Sequence, residues 1–163
     1  MVGVGFFGTV GIAMAAVTGL VLLSVLMTYG DRQDRKHAAA KFVAGRQAMT
    51  DEEFLHRLGP PQRLEQACLA WRQAMADVIS ISREFIYPED RLFTIMNIDF
   101  EGGGDFMSVS CCVDKALGIK VPRAIFEKAL MPDHKEITVG ELGLRLCVAL
   151  EKEGLLGGQP HGA

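Results

Sequence analysis

Three observations predict an all-α chain, with a single transmembrane helix followed by a small helical bundle. Val2 to Gly30 contains no charged residue. Further on, apolar residues recur at three- and four-residue intervals, first as Leu64, Cys68, Trp71, Met75 and Val78, then as Phe106, Val109, Val113 and Leu117. That is the period of one face of a helix. Two Thr-x-x-Glu boxes, at Thr50–Glu53 and Thr138–Glu141, have the chemistry of helix starts.

The first thirty residues (1–30) form the anchor. A helix over Val2 to Gly30, about 29 residues, would be about 43 Å long, enough to cross a bilayer core of about 30 Å with tilt. Ala13-Met14-Ala15-Ala16 has the small residues of a signal-peptide cleavage site. No Lys or Arg precedes the apolar run, however, and the run continues through Val21 to Met27, so an uncleaved anchor is the better reading. Arg32, Arg35, Lys36, Lys41 and Arg46 follow it directly. The positive-inside tendency then places a single-pass protein in the cell membrane with its carboxyl-terminal domain in the cytoplasm. Gly11, Ala15 and Gly19 fall four apart, a small-residue row through which two such helices could associate as a homodimer in the lipid bilayer.

Residues 31–49 are charged and alanine-rich and read as a helical stalk. A helical domain spans residues 50–153. Thr50 caps a short helix from Asp51 to Leu58, which Gly59 ends. Pro60 and Pro61 restart the chain into a helix that reaches about Ile81 and has Trp71 as a core anchor. Glu84 to Leu92 reads as an irregular connector, with Glu89, Asp90 and Arg91 in a solvated turn. Gly102, Gly103 and Gly104 then form a loop, Asp105 caps the helix that follows, and Gly118 stops it. Pro122 opens a short helix to Leu130, and Pro132-Asp133-His134 makes its exit turn. Thr138 caps the last helix, whose buried face is Leu142, Leu146, Ala149 and Leu150 and which ends near Gly154. Residues 154–163 read as a disordered tail.

Charge and residue spacing exclude several functions. Residues before Thr50 hold five Lys/Arg against two Asp, and the remainder holds twelve against eighteen acidic residues. An acidic soluble part is a poor match for phosphates, so no nucleic-acid partner is expected. Cys68, Cys111, Cys112 and Cys147 lie inside predicted helices as small apolar fillers, in a pattern unlike a disulfide framework. His37, His56, His134 and His161 are scattered, so no metal site is expected. Asp99 to Ser110 fails as a calcium loop because Ser110 stands where a bidentate acid is needed. No Gly-Lys-Ser/Thr follows the glycines to make a phosphate cradle, and nothing near Cys111-Cys112 would activate a thiolate. No catalytic residues are expected, and the chain does not read as an enzyme.

Leu117-Gly118-Ile119-Lys120-Val121-Pro122 followed by Ile137-Thr138-Val139-Gly140-Glu141 resembles the ending of acyl carrier proteins. From about Pro61 to Glu153 the helix order is also similar to that family, which implies an acyl-carrier-like four-helix bundle. In the family a serine at the entry to the second helix bears phosphopantetheine. Counting back from Pro122 puts Gly103 at that place, and glycine has no hydroxyl to modify. The resemblance therefore implies a non-catalytic, membrane-anchored interaction module without cofactor, which docks a cytoplasmic protein through Gly102, Gly103, Gly104, Asp105, Ser108 and Cys111. The alternatives are a carrier bearing phosphopantetheine on Ser108 or Ser110, or a structural anchor that self-associates through Gly11, Ala15 and Gly19.

Overall fold

The computed structural model describes residues 33–34, 36–99, 106–131 and 136–156. The predicted span, with Gly11, Ala15 and Gly19, lies outside them, and so do Gly102 to Asp105, the Pro132 exit turn and the end of the tail. The chain divides into two compact units, Met1–Ala38 and Ala39–Ala163. Among the described residues the second unit is an all-helical bundle, with one isolated antiparallel bridge between Arg91 and Thr138. No described helix is long and apolar enough to cross a membrane.

Helix α1 spans Asp51–Leu58 and begins as its box predicts, with Thr50 Oγ1 accepting the Glu53 N–H at 3.1 Å. The Glu53 carboxylate pairs with Arg57 one turn on rather than reaching back to Thr50. Gly59 closes α1 in the left-handed region, at φ +65°, and donates its N–H to the Leu55 carbonyl. After a 3₁₀ turn at Gln62–Leu64, α2 runs through Glu65–Ile79. It stops two residues short of Ile81, where Ser80 turns left-handed at φ +56°. Cys68, Trp71, Arg72, Ala74, Met75, Ala76, Val78 and Ile79 are all buried, so α2 is covered nearly all round and forms the centre of the bundle.

The connector is more ordered than an irregular loop. It contains a 3₁₀ turn at Arg83–Phe85 and a further helix, α3, at Leu92–Asp99. Leu92, Ile95 and Met96 are the buried face of α3. A stripe of three residues in eight is too short for its period to stand out among β-branched and aromatic neighbours. Helix α4 spans Phe106–Leu117, α5 spans Arg123–Leu130 with Pro122 as its N-cap, and α6 spans Val139–Lys152. Val109, Val113 and Leu117 are the buried stripe of α4, as the spacing predicts. Leu155 and Leu156, just beyond α6, pack back against the core.

The start of α6 shows how the connector is held. The first four N–H groups of a helix have no partner within it. Here Val139 donates to the Asp90 carbonyl at 2.7 Å and Gly140 to the Pro88 carbonyl at 2.9 Å. Glu141 donates to Thr138 Oγ1, so the first three N–H groups of the helix are satisfied from outside its ladder, and Leu142 opens the ladder by donating to the Thr138 carbonyl. Trp71 Nε1 donates to the Val139 carbonyl at 2.8 Å, which fixes the same turn from the α2 side.

Two glycines permit this approach. A Cβ on Gly140 would lie 2.8 Å from Pro88 Cβ, and one on Gly143 would lie 2.3 Å from Trp71 Cδ1. Glycine costs a helix interior about 1 kcal/mol relative to alanine, so Gly143→Ala gains that much in propensity. The new methyl meets an indole that is wholly buried and tied through its N–H, so the ring cannot step aside. Overpacking of this kind costs about 1–3 kcal/mol or more, and the clash outweighs the gain. Gly143→Ala is therefore expected to lower unfolding stability by about 2 kcal/mol net, measured by urea denaturation followed by helix circular dichroism.

Candidate functional site

The surface that the sequence assigns to partner docking is centred on α4. Of its six residues, Gly102, Gly103, Gly104 and Asp105 lie outside the described residues. Ser108 lies in the first turn of α4. Cys111 is exposed on α4, which corrects its expected role as a buried filler; Cys112 beside it is half-buried. Facing residues two positions away on either side, Val109 and Val113, are buried, so Cys111 stands on the opposite, outer face. Lys115, four residues on, is also exposed. Ser110, the other serine of the carrier alternative, is half-buried.

Asp114 is the remaining described acid on α4, and it is engaged in the fold. Its Oδ1 accepts the Val121 N–H at 2.8 Å, while its carbonyl accepts the Ile119 N–H at 3.2 Å. With Gly118 at φ +66°, these bonds turn the chain from α4 into α5. A left-handed residue is needed at this point, and glycine adopts that conformation without strain. The outer face of α4 and its exit turn thus expose Cys111, Lys115 and Lys120, with the carboxylate drawn inward.

Two arginine clusters were not anticipated from the sequence. Arg72 is 0% exposed in the middle of α2. Its Nε donates to the Ile86 carbonyl at 3.0 Å, its Nη2 to the Met49 carbonyl at 2.9 Å, and its Nη1 to Asp51 Oδ1 at 2.9 Å and the Thr50 carbonyl at 3.3 Å. The guanidinium lies 4.5 Å from the Phe54 ring centroid. Burial pulls the Arg72 guanidinium below its ordinary pKa and Asp51 opposes that; an arginine so placed remains charged. Asp51 also binds Arg83 through its other oxygen at 2.6 Å.

The second cluster corrects two expectations. Helical structure in the stalk stops at residue 43, and the chain turns at Ala44-Gly45 and continues as an irregular strap rather than more helix. Asp90, expected in a solvated turn, is a half-buried partner of that strap. Arg46 donates from both Nη atoms to the two Asp90 oxygens, each at 2.8 Å, and from Nη1 to the Phe85 carbonyl at 3.0 Å. Its guanidinium lies between the rings of Phe42, at 3.7 Å, and Tyr87, at 4.9 Å. Asp90 Oδ2 also accepts the Tyr87 N–H, so the turn is ordered by the carboxylate that the strap grips. Neither Arg46, between Gly45 and Gln47, nor Asp90, between Glu89 and Arg91, gave a local signal of this; the available one was an aromatic residue a few positions before each, Phe42 and Tyr87.

Among the described residues, no group of three or more His, Cys, Asp or Glu side chains could hold a metal ion. No buried side-chain polar atom there lacks a hydrogen-bond partner, so neither arginine cluster presents an unmet group to a ligand. Both are structural clasps. No known protein family matches the chain, and neither a curated protein nor a solved structure is significantly similar to it.

Removing one partner of a buried charge network costs about 3–5 kcal/mol. Arg72→Met is expected to fall at the lower end, about 3 kcal/mol, because Asp51 keeps Arg83. Arg46→Lys keeps the charge but loses the two-pronged bond, for an expected loss of about 1.5 kcal/mol. Urea unfolding of the full chain checks both, and equal losses would mean that the strap and the core clasp are not distinct.

Proposed function

We propose that this chain is a single-pass membrane protein whose carboxyl-terminal domain is an acyl-carrier-like module that docks a protein partner and carries no phosphopantetheine. The observation that supports it best is the run from α4 to α6. A helix with an exposed outer face ends at Gly118, a turn braced by Asp114 leads to Pro122 and a short helix, and a Thr-capped last helix follows. Together with α2, these helices take the order of a carrier bundle, and α1 and α3 are additions to it. At the place of the carrier serine stands Gly103, which has nothing to modify.

The outer face of α4 narrows the class of partner. Enzymes that serve acyl carriers meet an acidic second helix, whereas this one shows Cys111 and Lys115 and uses Asp114 internally. A partner for it would read a neutral to weakly basic helix face. In the anchored arrangement, Arg32, Arg35, Lys36 and Lys41 remain to lie near anionic headgroups, while Arg46 is held by Asp90.

The intact mass of the full chain, co-expressed with a broad-specificity phosphopantetheinyl transferase, tests the absence of the arm. The expected mass is that of the unmodified chain. A mass higher by one phosphopantetheine, abolished by Ser108→Ala or Ser110→Ala, would establish the carrier alternative instead. Cys111 offers a native test of topology. A membrane-impermeant maleimide is expected to label it in sealed inside-out vesicles and to leave it unlabelled in right-side-out ones; the reverse pattern would place the domain on the other side.

A further inference from the structure

Cys68 and Cys147 form a pair that the docking reading does not use. Helices α2 and α6 lie side by side with their facing residues in antiparallel register. Arg63, just ahead of α2, pairs with Glu151, while Trp71 rests against Gly143. Between those two contacts Cys68 and Cys147 meet. Both are 0% exposed and sit with Leu64 in a small apolar cluster lined by Leu55, Leu58, Leu144 and Val148. The two side chains share this cluster as free thiols and are not joined as a disulfide.

The backbone geometry suits a covalent link. Cα atoms lie about 2.3 Å from a helix axis, and packed helices have axes about 8–10 Å apart, so Cα atoms that face one another directly are roughly 3.5–5.5 Å apart, which overlaps the span of a disulfide. A disulfide spans Cα atoms about 4.4–6.8 Å apart.

We propose that Cys68 and Cys147 are a redox-sensitive clasp between α2 and α6. Each thiol gives up one hydrogen and the two Sγ atoms join. The two electrons and two protons pass to a peroxide, which is reduced to two molecules of water. A dithiol reductant reverses the step by taking the disulfide back to two thiols. The neighbouring Cys68 side chain, and after it apolar burial, raise the Cys147 thiol, and two wholly buried sulfurs are out of reach of an oxidant, so oxidation proceeds through transient opening of the cluster. The clasp is therefore slow to close, and once closed it removes the opening motion that admitted the oxidant. It encloses the connector, α3, α4 and α5 within one covalent loop. This inference is independent of the docking reading.

The test uses the purified full chain treated with hydrogen peroxide, unfolded, alkylated and digested. The expected product is a cross-linked peptide pair containing Cys68 and Cys147, lighter by two hydrogens, with Cys111 not part of the link. The urea midpoint of the oxidised chain is expected to lie above that of the reduced chain and to return on treatment with dithiothreitol. Full alkylation of Cys68 and Cys147 after peroxide, their recovery as oxygenated acids, or links to Cys111 or Cys112 would each overturn the proposal.

Discussion

A guanidinium shut away from water must be met by oxygen, and the bundle is arranged around the oxygens that meet Arg72. They come from the carbonyls of Met49 and Thr50, the carboxylate of Asp51 and the carbonyl of Ile86. One side chain in the middle of α2 thereby holds the entry to α1 on one side and the start of the connector on the other. None of these bonds alone is worth more than a few kcal/mol. Their effect is cooperative, because displacing any one segment leaves a buried charge short of a partner. Arg46 repeats the device nearer the surface and ties the strap to the turn that feeds α6.

From that turn the constraint passes to the last helix. The Asp90 and Pro88 carbonyls cap α6, and Trp71 holds the Val139 carbonyl from the opposite side. The Thr-Val-Gly-Glu sequence therefore has a physical account at each residue. Thr138 caps through its hydroxyl, Val139 is buried and offers its carbonyl to the indole, Gly140 admits Pro88, and Glu141 gives its N–H to the threonine. Along α4 a similar economy holds, since Asp114 serves the exit turn and is withdrawn from the outer face. The chemistry presented there is set as much by what the fold consumes as by what the sequence contains.

The all-helical class and most of the helix limits were legible in the residues. Thr50, Gly59, Gly118, Pro122 and Thr138 act locally, and local rules apply to them whatever surrounds them. Features that depend on distant partners were not legible. Arg72 looks like one more charge on a helix until Met49, Ile86 and Asp51 are brought to it across at least fourteen residues. Asp90 looks solvated until Arg46 reaches it, and α3 is too short for its apolar period to declare itself. In the docking surface, exposed Cys111 differs from buried Cys68 and Cys147 only by the face on which it falls, which a composition of small apolar residues does not reveal.

The two glycines of α6 also bear on where that helix gets its stability. Within its first five residues the helix has surrendered about 2 kcal/mol of intrinsic preference relative to alanine at both sites. An isolated segment of this length is marginal even with strong helix formers. Helix α6 thus owes its stability to the surfaces it packs on, Trp71 and Pro88 among them, more than to its own sequence. Helix α2, covered nearly all round, is the surface on which that dependence rests. A substitution that loosens α2 is therefore felt in α6 as well, although the two are far apart in sequence.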